Sequence, residues 1–185
     1  RLAFVRHSRG GENSYHLAHE VGLAASDSAT QHGYGPVAGL LLIAPAPIWV
    51  KPGQSDVPIA AILPACDGDV ITQDGQKFFE GPRLAPGQTA WATSAWLERA
   101  NHNDVNTVVQ GGEFGFPDRS DCTTLMGPQA QQAWLTDYAT DFLTTIFGKE
   151  PQAIRDAKAR LGMDARALAP SQMYGQAGRV SSLAP

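Results

Sequence analysis

The sequence predicts an α/β fold in which a mostly parallel sheet carries helices on both faces. Two apolar runs, residues 37–44 and 59–63, are continuous rather than alternating, which is typical of strands covered on both sides. A helical pattern over residues 11–23 separates the first of these runs from an earlier apolar segment, residues 2–5. Because a crossover helix makes two buried strands parallel neighbours, the chain begins as a strand, helix and strand unit.

The strands continue beyond this unit. Residues 45–58 carry four prolines and Trp49, which excludes regular structure and predicts a loop over the rim of the sheet. Residues 89–97 form the fourth predicted strand, and their more alternating pattern favours a position nearer the sheet edge.

Two helices are predicted after the third strand, one short over residues 73–80 and one long over residues 128–147. Pro128 suits the first turn of the long helix, and Gly148 suits its end. We therefore expect a core over residues 1–148. Residues 149–185 are expected to form a modest helix, residues 152–161, and a flexible tail or linker rich in Gly, Ser, Ala and Pro.

Charge and hydropathy exclude two classes of partner. The net charge is −4, and the 14 Lys and Arg residues are scattered without runs, so the chain offers no basic surface for nucleic acid. No apolar stretch reaches the roughly 20 residues that a membrane-spanning helix requires. We expect neither a nucleic-acid partner nor a transmembrane segment.

The beginning of the chain predicts that strands precede it. The first residues already form an apolar strand, which without a neighbour would leave the exposed apolar edge that proteins avoid. We expect several N-terminal strands, and any targeting signal, to lie upstream of Arg1.

The two cysteines, Cys66 and Cys122, are either free thiols or one disulfide. Both belong to segments expected at the same rim of the sheet. No CxxC pair or neighbouring histidine pair accompanies them, and His16 and His19 lack a third ligand nearby, so no metal site is predicted.

Residues 6–11, Arg-His-Ser-Arg-Gly-Gly, follow the first strand and precede the first helix. A serine in a strand, tight turn and helix context is typical of a nucleophile elbow, which lifts the hydroxyl above the end of the sheet. Ser8 is therefore a candidate nucleophile for acyl transfer. Arg6 stands where the motif has glycine, and its side chain must either swing outward or distort the turn.

An elbow serine requires an acid and a base, which follow it in the chain order Ser, Asp or Glu, His, each just past a strand end. Asp67 and Asp69 follow the third predicted strand, and His102 follows the fourth. Each residue has an ordinary alternative, because Asp-Gly turns and exposed loop histidines are common. Their joint order favours the triad. The side chain of His7 is expected to point to the opposite side of this turn and to serve as a packing or hydrogen-bonding group.

Three segments, His7–Glu12, Leu63–Val70 and Ala100–Asn103, resemble those of the α/β-hydrolase superfamily, in its secreted bacterial esterase, lipase and dienelactone-hydrolase-like branch. The resemblance runs from Arg1 to about Gly148 and corresponds to the C-terminal two thirds of that fold.

The resemblance implies that Ser8 is the nucleophile, His102 the base and Asp69 the orienting acid, with Asp67 as the alternative. It also implies that the Arg9 backbone N–H is one oxyanion donor, that no cofactor is needed, and that the protein is secreted or periplasmic. We expect a small-molecule or lipid ester as substrate, with Trp49 lining an apolar pocket. Two other functions stay open: a non-catalytic binding domain of the same fold, and hydrolysis of another acyl bond such as a peptide.

Overall fold

The computed structural model describes residues 1–23, 36–49, 51–53, 55, 57–84, 90–108, 120–162 and 178–179. Within these residues one sheet contains five strands, of which the last is two residues long: β1 (Leu2–His7), β2 (Val37–Ile43), β3 (Ile59–Pro64), β4 (Ala92–Leu97) and β5 (Gly178–Arg179). The described helices are α1 (Arg9–Leu23), α2 (Lys77–Leu84), α3 (Pro128–Phe147) and α4 (Pro151–Arg160), and a short 3₁₀ turn, Asp74–Gln76, precedes α2.

All strand pairs are parallel, and the order across the sheet is the order along the chain, β1-β2-β3-β4-β5. β1 therefore lies at one edge, where Leu2 and Val5 are 37% and 42% exposed. Because all strands run the same way, the segments that follow them emerge along one rim of the sheet. That rim carries every candidate residue of the predicted triad.

Helices cover both faces of the sheet. Leu40, Leu41 and Leu42 of β2 are fully buried although neighbouring side chains on a strand point to opposite faces. Leu41 belongs to a cluster with Trp134 and Phe142 of α3, whereas Leu40 and Leu42 pack with α1 and α2. Each buried leucine contributes roughly 2 kcal/mol to folding. The predicted α/β class with two covered faces is confirmed.

Gly39 allows α3 to lie directly on β2. A Cβ atom at this position would be 2.9 Å from the Phe142 ring and 3.1 Å from the side chain of Ile146. The helix therefore approaches closest where the strand has no side chain, which sets the spacing of this layer.

The predicted elements match the observed ones with small shifts. The long helix has the predicted bounds, and the three apolar runs before residue 64 are strands. The expected helix over residues 73–80 is wrong in its start, because residues 74–76 form a 3₁₀ turn and the α-helix begins at Lys77. Within the predicted tail, Gly178–Arg179 pairs with β4, and the other residues from 163 onward lie outside the described part of the chain.

No helix in the described residues has both the length and the apolar character needed to cross a membrane.

Candidate active site

Strained backbone conformations occur along the carboxyl-end rim of the sheet. Ser8, Ala44 and Arg99, which follow β1, β2 and β4, have positive φ angles of 56°, 47° and 61°. A residue other than glycine in this region costs of order 1–3 kcal/mol and is held there by its surroundings. Such residues cluster at functional sites, so the rim is a candidate location for an active site.

The turn at Ser8 is held on both sides by backbone hydrogen bonds. Its N–H donates to the Ile43 carbonyl at 2.9 Å, and its carbonyl accepts from the N–H of Gly11 at 2.9 Å and of Ala46 at 3.4 Å. A Cβ at Gly11 would be 3.0 Å from the Cβ of Pro45, so glycine lets the loop after β2 approach the start of α1. The strand, sharp turn and helix predicted for Ser8 are all present.

Arg6, which stands where the elbow motif has glycine, does not distort the turn. Its side chain is exposed, and the turn two residues later keeps its left-handed conformation. Of the two alternatives, the arginine swings outward.

A buried acid and base face each other on the same rim. Asp67 Oδ2 lies 2.8 Å from His102 Nδ1, and the two side chains are 1% and 3% exposed. Asp67 Oδ1 accepts hydrogen bonds from the N–H groups of Asp69, at 2.9 Å, and Val70, at 2.7 Å. Both carboxylate oxygens are thus engaged, which orients Asp67 and through it the imidazole of His102.

Asp69 lies on the other side of the same imidazole. Its Oδ2 is 3.6 Å from His102 Nε2, and its side chain is 43% exposed. The contact with Nδ1 that the resemblance implied for Asp69 is made instead by Asp67. The physical reason is the Asp-Gly-Asp turn, in which the first carboxylate folds back onto the following N–H groups and the second extends toward solvent.

Ser8 and His102, both within the described residues, are not hydrogen-bonded to each other. His102 Nε2 is the nitrogen on the side away from Asp67, as a base serving a nucleophile requires. Catalytic hydrogen bonds in substrate-free structures are often long and tighten only when substrate binds.

The loop that carries His102 is anchored to α3 by a fully buried glutamine. Gln131 Oε1 accepts from the Asn101 N–H at 3.1 Å, and Gln131 Nε2 donates to the Asn101 carbonyl at 2.9 Å. The Asn101 side chain in turn bonds Asp104, with Nδ2 donating to Oδ2 at 2.9 Å and Oδ1 accepting from the Asp104 N–H at 2.8 Å. His102 therefore lies in a turn whose backbone is fixed on both sides.

Cys66 and Cys122 form a disulfide with a Cα–Cα distance of 5.9 Å. Of the two states left open by the sequence, the structure contains the bridge. Cys66 immediately precedes Asp67, and its N–H donates to the Ala100 carbonyl at 2.9 Å. The bridge thus ties the acid-bearing turn to the segment that leads into α3.

The proline-rich loop after β2 is held against α1. Glu12, only 2% exposed, accepts hydrogen bonds from the backbone N–H groups of Ile48 and Trp49. Tyr15 Oη donates to the Gly53 carbonyl at 3.0 Å and lies 2.9 Å from the Gly53 N–H. These contacts keep the loop beside the turn that contains Ser8.

Trp49 is 79% exposed and lines an open groove of about 450 Å³. Pro47, Ile48 and Pro52 supply further apolar walls from the same loop, and α2 supplies the opposite wall. The sequence predicts that Trp49 lines an apolar substrate pocket; the groove that it lines also contains the charged residues Lys51, Lys77 and Glu80, and its role in binding stays a prediction.

Two site-supporting residues, Glu12 and Gln131, were missed in the sequence. Glu12 directly follows the Arg-Gly-Gly segment, and a carboxylate inside an otherwise apolar helix face is a signal that could have identified it. Gln131 gives no such signal, because its partner Asn101 lies 30 residues away along the chain.

Comparisons with protein-family models, with characterised proteins and with solved structures give no match to this chain.

Proposed function

We propose that this protein is a serine hydrolase that cleaves carboxylic esters through an acyl-enzyme intermediate. The single observation that carries the proposal is the buried Asp67–His102 pair, set on the same rim as a serine in a left-handed turn at the start of a helix. Ser8, Asp67 and His102 follow one another along the chain in the order of an α/β-hydrolase triad, and the motifs also resemble that superfamily, which supports the proposal.

In the proposed reaction, Ser8 Oγ attacks the ester carbonyl while His102 Nε2 takes the hydroxyl proton. His102 then returns that proton to the leaving alcohol as the ester bond breaks. Water next attacks the acyl carbon while His102 takes its proton, and the proton goes to Ser8 Oγ as the acyl–Oγ bond breaks and the carboxylic acid leaves. Asp67 keeps the Nδ1 proton of His102 in place and stabilises the imidazolium that forms in each step. The mechanism requires no cofactor.

The start of α1 provides electrostatic stabilisation for the tetrahedral intermediate. Arg9 is the first residue of α1, and N–H groups in the first turn of a helix have no partner within the helix. Its N–H follows the nucleophile directly, which is the position of an oxyanion donor in nucleophile elbows. The helix dipole adds to this effect.

The groove at Trp49 fits the acyl or alcohol part of a small-molecule or lipid ester. Its volume lies within the range of small-molecule sites, and its lining combines apolar side chains of the loop with three charged ones, Lys51, Lys77 and Glu80. The hydrogen bond from the Ala46 N–H to the Ser8 carbonyl ties that loop to the nucleophile turn.

The disulfide supports a secreted or periplasmic location as part of the proposal. Disulfides form and persist in oxidising compartments and are rare in the reducing cytosol.

A fluorophosphonate probe tests the proposal directly, because it reacts with serines that are activated by a base. We expect the probe to label the peptide containing Ser8 in the full-length protein and to lose that label in the Ser8→Ala variant. Ser120→Ala removes an exposed serine elsewhere and serves as the matched control, which retains labelling.

Failure to label Ser8 in the folded wild-type protein would leave the alternative of a non-catalytic domain of the same fold. If Ser8 is labelled, turnover of p-nitrophenyl esters against p-nitroanilides separates ester from amide hydrolysis. Faster cleavage of the anilides would replace the ester proposal by the peptide alternative.

A further inference from the structure

His7 makes a ring contact with the candidate base that neither the motif nor the mechanism accounts for. It is the last residue of β1 and directly precedes Ser8. Its ring centroid is 4.5 Å from that of His102, and the ring planes are tilted by 49°. The expectation that His7 serves as a packing or hydrogen-bonding group is met, and its packing partner is His102.

This contact spans the sheet. His102 follows β4, and β2 and β3 lie between β4 and β1. The loop that carries His102 therefore extends along the rim past β3 and β2, and the His102 ring contacts His7, the residue before the candidate nucleophile. Two segments that are 95 positions apart in the chain numbering, 102 less 7, meet at these two rings.

The Asp67 hydrogen bond alone does not fix the His102 ring. A single bond at Nδ1 holds one atom, and the ring can still rotate about the line that joins it to the carboxylate. The second contact on the Nε2 side is the half-exposed Asp69 at 3.6 Å, which is too long for a normal hydrogen bond. A flat group packed against the imidazole adds a second constraint, and His7 provides one.

His7 can do this without opposing the chemistry, because it is uncharged at neutral pH. Burial is the main cause that lowers the pKa of His7 to about 4, and the nearby His102 lowers it further. A neutral ring does not repel the imidazolium that His102 becomes during proton transfer. His7 Nε2 is buried without a hydrogen-bond partner among the described residues, whereas a hydrogen bond between His7 and the His102 backbone adds to the contact of the two rings.

We propose that His7 is a positioning residue whose ring orients the His102 imidazole toward Ser8. The catalytic consequence of this inference rests on the proposed hydrolase function. Its structural content rests on the contacts that Asp67 and His7 make with the His102 ring.

The test compares ring-retaining and ring-deleting variants in the full chain. His7→Phe keeps a flat ring and removes both nitrogens, whereas His7→Ala removes the ring. If the His7→Ala variant does not fold, the His7→Asn variant is used in its place. His16→Ala changes an exposed histidine on α1 and is the matched control. Thermal unfolding by circular dichroism establishes that each variant is folded.

The first readout does not depend on activity. The proton between His102 Nδ1 and Asp67 Oδ2 is expected to give a far-downfield proton NMR signal in the wild type, the control and His7→Phe. In His7→Ala the signal is expected to broaden or vanish, because the Nδ1 proton of an unsupported ring exchanges faster with solvent.

The second readout is hydrolysis of p-nitrophenyl acetate. We expect kcat of His7→Ala to fall by about 10²-fold with KM little changed, because misplacement of about 1 Å costs about that much. His7→Phe is expected to stay within about fivefold of the wild type.

Four results decide the inference. A His7→Ala protein with an unchanged signal and kcat overturns it, and so does a His7→Phe protein as impaired as His7→Ala, since the nitrogens rather than the ring would then matter. Absence of the signal from the wild type also overturns it. The expected NMR pattern without any ester hydrolysis supports the positioning of His102 and rejects the proposed function.

Discussion

Asp67 and Asp69 are two residues apart and lie at opposite nitrogens of one imidazole. Asp67 is buried, bonds Nδ1 at 2.8 Å and is itself held by two backbone N–H groups. Asp69 is 43% exposed and lies 3.6 Å from Nε2. The difference in burial and geometry assigns the orienting role to Asp67 within the proposed mechanism.

Matched amide substitutions test this assignment. In Asp67→Asn the amide can donate to Nδ1 and favour the wrong tautomer of His102, so we expect kcat on p-nitrophenyl acetate to fall by about 10⁴-fold. Asp69→Asn removes a partly solvated charge and is expected to change kcat by less than about tenfold. The reverse ranking of the two variants would return the orienting role to Asp69.

At this scale the sequence predicts the site in part. Ser8 and His102 follow strand ends, and that position alone predicts the rim on which they lie. The choice between Asp67 and Asp69 depends on how the Asp-Gly-Asp turn folds back on its own N–H groups, which residue types and spacing do not determine. The packing of His7 on His102 depends on a loop that crosses two strands, and nothing local to His7 indicates it.

Among the elements, β2, β3 and α3 were predictable because their signals are local. β2 and β3 are continuous apolar runs, and α3 has a proline in its first turn and a glycine directly after it. The start of α2 was not predictable, because it depends on a contact with another segment. A Cβ on Gly75 would be 2.5 Å from the Pro45 carbonyl oxygen, so the loop after β2 packs tightly on the 3₁₀ turn that precedes α2.

The start of α3 anchors the loop of the candidate base, His102, through Gln131, and this link can be measured. Gln131→Ala leaves the buried N–H and carbonyl of Asn101 without partners, at about 1–3 kcal/mol each. We expect the free energy of unfolding in urea to fall by about 3 kcal/mol, together with a lower kcat.

Gln129→Ala, on an exposed position of the same helix, is the control and is expected to change the free energy of unfolding by less than about 0.5 kcal/mol. Equal stability of the two glutamine variants would contradict the proposed anchoring.

At the scale of the whole molecule, the site is built from four chain segments that meet only when the parallel sheet is complete. The turn at Ser8, the loop after β2, the acid-bearing turn and the base-bearing loop follow β1, β2, β3 and β4 in order. The Cys66–Cys122 bridge adds a covalent link between the third of these segments and the approach to α3. Stability of the fold and geometry of the site are therefore coupled through the bridge.

Reduction of the disulfide is expected to lower the free energy of unfolding by about 4 kcal/mol, because the bridge closes a loop between residues 56 positions apart. Urea unfolding of the wild type with and without reductant measures the effect, and the Cys66→Ala, Cys122→Ala double variant is expected to match the reduced protein. An unchanged urea midpoint after complete reduction would show that the bridge does not constrain the unfolded chain.

The burial of His7 also makes the folded protein a weaker proton acceptor than the unfolded chain. The pKa of His7 is about 4 in the fold, mainly because of burial, against 6.5 for the ordinary group. Well above pH 6.5 the residue is neutral in both states and has no effect. As the pH falls from 6.5 to 4 the unfolded chain binds a proton that the folded protein does not, so stability falls by up to about 3 kcal/mol.

We expect His7→Phe to reduce the loss of unfolding free energy between pH 7 and pH 4 by about that amount, as measured by urea unfolding at each pH. If the variant and the wild type lose stability equally, acid unfolding of this protein begins at another group.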